Sequence, residues 1–138
     1  MPAVKGSYWM LIGALLAAGG VALSAYQAHG LEGWLEKQSI AAEEVTHRSD
    51  NAATAARYQV YHAFGLMIIG LSLRGASSKT LHGAATLLLL GTLFFSGGLF
   101  LFVFTGTFLH WAIVPTGGLL LILGWITAAI GFVRTPKP

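Results

Sequence analysis

LHGAATLLLLGTLFFSGGLFLFVF, residues Leu81–Phe104, runs for 24 positions without an Asp, Glu, Lys or Arg. About 20 such residues, wound as a helix, cross the roughly 30 Å hydrocarbon core of a bilayer. The bilayer is therefore the solvent against which the chain has to be read. Working outward, Pro115–Val133 on one side, and Tyr58–Leu73 and Ser7–Ala28 on the other, are similarly apolar and almost free of charge. The expected fold is all-α: a polytopic, antiparallel bundle of four transmembrane helices in one domain. The spans fall at about residues 7–28, 54–73, 81–104 and 113–133, and a partly helical outer loop joins the first two.

Composition supports that class. A mean hydropathy of +0.70, 55% hydrophobic residues and 9% charged residues contrast with the roughly 25% charged residues of soluble domains. Beyond the spans only short tails and the connection Gly30–Arg57 remain, too little for an independent soluble core. The absence of cysteine rules out disulfides, thiolate nucleophiles and cysteine-ligated metals. The net charge of +3 comes from Lys and Arg at span edges, where they orient the chain and meet anionic lipid rather than nucleic acid.

Lys5 ahead of an apolar run ending in Ala22-Leu23-Ser24 imitates a secretory leader, but three further spans need a first partner, so the segment is read as a retained helix. Lys5, Arg74, Lys79, Arg134 and Lys137 lie on one side with no acid among them. The other side mixes Lys37, Arg48 and Arg57 with Glu32, Glu36, Glu43, Glu44 and Asp50. The positive-inside rule then places both termini in the cytoplasm. In the outer loop, Ser39 four residues before Glu43 gives an imperfect helix-start signal. The second apolar stretch is only about 24 Å long as a helix, at ~1.5 Å per residue, so its helix is expected to begin outside the membrane near Ala52, with Arg57 at the interface.

Small residues let helix backbones approach in lipid. Gly117, Gly124 and Gly131 recur at seven-residue steps on the fourth span, Gly13 marks the first, and Gly97 lies on the third beside Gly98. These are candidate packing positions, inside the bundle or across a dimer seam. Pro115 suits the opening turn of the last helix. Tyr8 and Trp9 at one rim, and Tyr26, Trp34, Tyr58, Tyr61 and Trp111 at the other, fit interfacial aromatic belts.

The polar residues of interest are few. In RYQVYH, residues 57–62, Tyr58 and His62 are four apart and share a helical face. Arg57, Tyr58, Gln59 and His62, together with His29 at the end of the first span, form a candidate polar cluster at the outer boundary. Such groups cost desolvation energy at a membrane edge unless bonded to one another or to a ligand. Three readings follow: a hydrogen-bonded clamp between the first two helices, a proton-responsive site, or a metal site with His29, His62 and His110 as candidate ligands. No metal is assigned, and no cofactor is expected. His82 falls on the opposite side. No acid lies in any span to orient a histidine, and no nucleophile turn or phosphate loop is present, so no enzyme activity is expected.

AHGL at Ala28–Leu31, RYQVYH at Arg57–His62, LFFSGGLF at Leu93–Phe100, TG at Thr105–Gly106 and PTGGLLLILGW at Pro115–Trp125 together resemble the YgdD/YwdK-like family of small four-span membrane proteins, a family of unknown function. The resemblance runs nearly end to end. It implies a four-helix integral membrane protein and brings no reaction, substrate or cofactor. It marks His29, Gly30, Arg57–Gln59, His62, Ser96, Gly97, Pro115, Gly117, Gly118 and Trp125 as motif positions, and His110 is not among them. The chain departs from the pattern in its longer connection before Arg57 and in Tyr26-Gln27 ahead of AHGL. The resulting expectation is a non-enzymatic structural or accessory protein of a bacterial inner membrane, with the lipid bilayer and a homo-oligomer or larger membrane complex as partners. The alternative is binding of a metal ion, proton or lipid headgroup at the polar cluster.

Overall fold

A computed structural model of the protein describes residues 6–75 and 77–134. Lys5 and Lys137, two of the cations used to orient the chain, lie outside the described residues. The chain forms α1 (Ser7–Tyr26), a π-helical turn (Gln27–Leu31), α2 (Glu32–Lys37), α3 (Ala42–Gly75), α4 (Lys79–Thr105) and α5 (Ile113–Arg134). Among the described residues there is no strand. α1, the π turn and α2 are one continuous 31-residue rod, Ser7–Lys37. The chain then goes down α3, up α4 and down α5, so the start of α1, the α3–α4 connection and the end of α5 share one end, here the terminal pole. The opposite end is the distal pole.

Three helices, Ser7–Lys37, Lys79–Thr105 and Ile113–Arg134, are long and apolar enough to cross a membrane. The lower half of α3 is the fourth member of the bundle. The surface confirms the environment: Leu11, Leu15, Phe64, Ile68, Leu93, Leu119, Ile122 and Ile126 are all exposed. A chain whose outside is as apolar as its core is folded for lipid, where helix association depends on close packing rather than on expulsion of water.

That packing is a pair of glycine seams. Gly6 at the N-cap of α1 and Gly13 and Gly20 within it come at seven-residue steps and rest on the carbonyls of Gly70, Ala63 and Ala56 of α3, themselves seven apart. A methyl group at Gly13 would stand 2.6 Å from the Ala63 carbonyl oxygen and 2.7 Å from Met67 Cγ. Gly6 is doubly constrained, because its φ of 82° belongs to the left-handed region that side chains avoid. On α5, Gly117, Gly124 and Gly131 receive Phe95, Leu88 and Leu81 of α4, again at seven-residue steps, and Gly91 of α4 receives Leu121 in return. Both seams lie inside one chain. Gly97 departs from the expectation: the space around it is open, and its neighbour Gly98 makes the contact with Val114 and Ile113. Seven-residue steps from Leu81 and Leu88 lead to Phe95, one helical edge away from Gly97, so Gly97 falls on the lipid side.

α3 and α4 join the two seams. Leu66, Ile69 and Leu73 of α3 meet Leu81, Ala84, Ala85 and Leu88 of α4 in one buried core that also takes in Trp9, Leu121 and Ala128. A second, smaller core of Leu31, Leu35, Val45, Ala52 and Val103 holds the distal ends of the rod and α3 against the top of α4.

The connection between the first two spans is therefore more ordered than expected. α3 begins at Ala42, ten positions before Ala52, and the first helix runs on to Lys37 instead of stopping at Ala28. Ser39 does not cap α3. It sits in the turn with a φ of 58°, and its N–H donates to the Glu36 carbonyl at 3.0 Å, closing the preceding helix. Glu43 and Glu44 in the first turn of α3 suit its positive end, and Val45 and Ala52 gain burial against α4.

The seams make contrasting substitutions informative. Gly124→Ile drives a branched side chain into Leu88, whose Cδ2 and backbone nitrogen would lie 2.7 and 3.2 Å from the first added carbon. Overpacking of this kind costs about 1–3 kcal/mol. Thermal unfolding in detergent should show a clearly lowered midpoint for Gly124→Ile and none for Gly97→Ala.

Candidate functional site

The expected cluster does not form as one unit. α3 turns Gln59 and His62 inward, 9% and 5% exposed, while Arg57, Tyr58 and Tyr61 face outward. His29 is exposed on the π turn and makes no hydrogen bond among the described residues. The π turn accommodates an extra residue per turn, and within it Leu31 takes the buried position, leaving His29 outside. The candidate metal set fares likewise. His110 lies in the α4–α5 connection, where its Nδ1 accepts the Ala112 N–H at 3.2 Å. Among the described residues no group of three His, Asp or Glu side chains could hold a metal ion.

Gln59 acts apart from the rest, while Tyr58 and His62 stay in contact, their ring centroids 5.9 Å apart. Gln59 Nε2 donates to the Leu16 carbonyl of α1 at 2.9 Å, beside Gly19 and Gly20, whose lack of side chains leaves room for the amide. His62 Nδ1 is 2.6 Å from the Tyr58 carbonyl. A carbonyl only accepts, so Nδ1 carries the proton and Nε2 is left as an acceptor. The His62 ring is 6.3 Å from that of Trp125, which in turn covers Gly65. These contacts tie α3 to α1 on one side and to α5 on the other. Ser96 Oγ is the one buried side-chain polar atom without a partner among the described residues.

Three further polar joints were not expected. At the distal pole, Gln27 Nε2 donates to Ser49 Oγ at 3.1 Å, and Ser49 Oγ donates to Glu32 Oε1 at 3.1 Å, so the π turn and α2 are both fastened to α3. Beside them Arg48 donates through Nε to Glu44 at 2.8 Å, reaches the Val103 carbonyl at 3.5 Å and lies over the Phe102 ring. Its guanidinium occupies the space that a side chain at Gly106 would need. A cation at the last carbonyls of α4 complements the negative end of that helix, and Gly106, with a φ of 75°, caps it. The Glu44-to-Arg48 spacing was legible in the sequence, but its contact with α4, 55 residues on, was not. At the terminal pole His82, set aside in the sequence, is held by α1: Trp9 Nε1 donates to its Nδ1 at 3.0 Å and the Tyr8 hydroxyl lies 2.8 Å from the same nitrogen. Trp9 is thus turned into the core and does not serve as a rim residue.

Arg57 is the exception to this pattern. It has no hydrogen bond or ion pair among the described residues and borders a groove of about 570 Å³ between α1 and α3 at the distal end of the apolar stretch. On the other face of α3 a second groove, of about 590 Å³, is walled by Tyr58, His62, Phe95 and Trp125.

Four long antiparallel helices with a lipid-facing apolar exterior define a polytopic α-helical membrane protein. The family model described as a protein of unknown function, DUF423, matches residues 23–118. Relatives extend the match over most of the chain. The UPF0382 membrane protein SERP0230 of Staphylococcus epidermidis is 36% identical over 126 residues, covering 91% of this chain and 95% of the relative. SH2409 of Staphylococcus haemolyticus is 38% identical, covering 88% and 92%. YwdK of Bacillus subtilis is 33% identical, covering 91% and 96%. The chain belongs to this DUF423 (UPF0382) family of membrane proteins. No solved structure matches it.

The Arg48 joint carries a pH prediction. The hydrogen bond from Arg48 holds the Glu44 carboxyl below its ordinary value of 4.5. The folded form binds that proton more weakly, so the joint's stabilisation is complete above the ordinary value and is lost as pH falls below it, through the lowered folded value. The Glu44 side chain is over a third exposed, so the effect is small. Hydrogen-exchange protection of residues 32–50, corrected for intrinsic rates, should decline in that acid range in the wild type and stay flat in Glu44→Gln.

Proposed function

We propose that the protein is a non-enzymatic structural or accessory component of the bacterial inner membrane, with both termini cytoplasmic, acting through self-association or within a larger membrane complex. The observation that supports this most is how four of its buried or half-buried polar side chains are used. Gln59, Ser49, Arg48 and His82 each join two helices, and none of them converges with an acid and a nucleophile around a cavity. The orientation rests on Arg74, Lys79 and Arg134 at the terminal pole, where no acid occurs among the described residues.

The alternative reading, binding at the distal polar residues, keeps one supporting observation, the unpartnered Arg57. Its metal version has no ligand group behind it, whereas its headgroup version does, and that version is developed below.

Under the structural reading, His62→Ala loses a ring packed against Trp125 and Tyr58, an effect of about 1–3 kcal/mol, and lowers the thermal midpoint in detergent. Native mass spectrometry and elemental analysis of mildly extracted wild-type protein should show no metal or small molecule that His62→Ala loses. A stoichiometric species present in the wild type and absent from a folded His62→Ala protein would overturn the reading.

A further inference from the structure

The groove between α1 and α3 has the chemistry of a phospholipid seat. Arg57 stands where the apolar stretch Tyr58–Leu73 begins, at the boundary between hydrocarbon and headgroups. The groove is lined by Val21 and Ala25 of α1 and by Ala53, Ala56 and Val60 of α3, and the Ser24 and Tyr61 hydroxyls border it. With Gly20 set against Ala56, Val60 and Tyr61 lie on the hydrocarbon side of Arg57 and Ser24 and Ala25 on the headgroup side. Neither rim hydroxyl has a hydrogen bond among the described residues. Ala25 and Ala28 on one side and Ala53 and Ala56 on the other keep the groove open. The neighbouring carboxylate of Glu32 already accepts from Ser49. Asp50 is seven residues, about two turns, further along α3 at ~3.6 residues per turn, on the side away from the hydrocarbon.

A guanidinium facing the headgroup layer with no acid to neutralise it carries an unmet preference for an anion. Its planar fork pairs with phosphate through two parallel hydrogen bonds, and Ser24 and Tyr61 offer further donors to a phosphodiester or glycerol oxygen. The apolar lining at Val21 and Val60 suits an acyl chain and is of no use to a free anion. We propose that this groove binds the phosphate of a membrane phospholipid in the distal leaflet, with Arg57 as the residue that holds it and Val21 and Val60 flanking the chain. The proposal rests on the headgroup reading of Arg57 and is independent of the structural role given to His62.

The test is native mass spectrometry of the full-length protein in detergent, titrated with phosphatidylglycerol and separately with inorganic phosphate. The wild type should retain one lipid, and inorganic phosphate at millimolar concentration should not displace it. Arg57→Gln should weaken retention at least tenfold, Arg57→Lys by less, and Arg74→Gln, at the other pole, not at all. Val21→Trp fills the groove with Arg57 intact and should also abolish retention. Equal lipid retention by wild type and by folded Arg57→Gln and Val21→Trp overturns the proposal. Displacement by inorganic phosphate overturns the assignment to lipid. His62→Ala is expected to bind lipid normally, so failure here is distinguishable from failure of the structural reading.

Discussion

The closeness with which helix backbones meet across glycine is the constraint from which the rest of this fold follows. Inside a bilayer, burying a leucine against another helix gains little over burying it against an acyl chain. Stabilisation has to come from dense contact and from polar groups with no other partner. Gly6, Gly13 and Gly20 let α1 lie directly on the carbonyls of α3, in an arrangement that directs glycine Cα–H groups at oxygen. Gly117 lets α5 meet the α4 backbone at Phe94 and Phe95, and Gly124 and Gly131 receive the side chains of Leu88 and Leu81. The seven-residue spacing is what two antiparallel helices crossing at a shallow angle require.

Once the seams fix the helix pairs, the positions of the polar residues are determined. Gln59 reaches Leu16 only because Gly19 and Gly20 leave the path open, and Trp9 reaches His82 only because Gly6 holds the start of α1 against α3. The distal extension has a different basis. There α2 and the first half of α3 stand beyond the apolar stretch, and the Gln27–Ser49–Glu32 chain, the Arg48 joint and a core of five residues hold them together. That small core includes Val103, so the hairpin depends on α4 and does not form an independent unit.

The sequence disclosed what depends on length and local spacing. The spans were legible because hydrocarbon thickness dictates a minimum run of apolar residues, and the α5 glycines because three of them recur at seven. The full extent of α3 was not, since residues 42–56 are polar and their helicity comes from packing against Val103 and from Arg48 at the end of α4. The matching seam on α1 was only partly visible, because its partners on α3 are Ala56, Ala63 and Gly70, small residues that carry no distinctive signal alone. The polar cluster failed for a related reason. Spacing placed Tyr58 and His62 on one face but could not foresee the π turn that leaves His29 outside. His82 and Trp9 are 73 residues apart, a separation that no local pattern spans.

Whether the seams are internal, as described, or lie between copies of the chain is the question on which the account stands, and a protein without cysteine allows a direct answer. Leu88→Cys combined with Gly124→Cys places two cysteines in contact across the α4–α5 seam, since a Cβ at Gly124 would lie 3.2 Å from the Leu88 backbone nitrogen, consistent with the close Cβ approach of about 3.5–4.5 Å that a disulfide needs. Oxidation in native membranes should consume both thiols within a single chain and leave the mass that of a monomer, while Gly83→Cys with Gly124→Cys should form no internal bond. A disulfide-linked dimer from the first pair, or free thiols in both, would contradict the account.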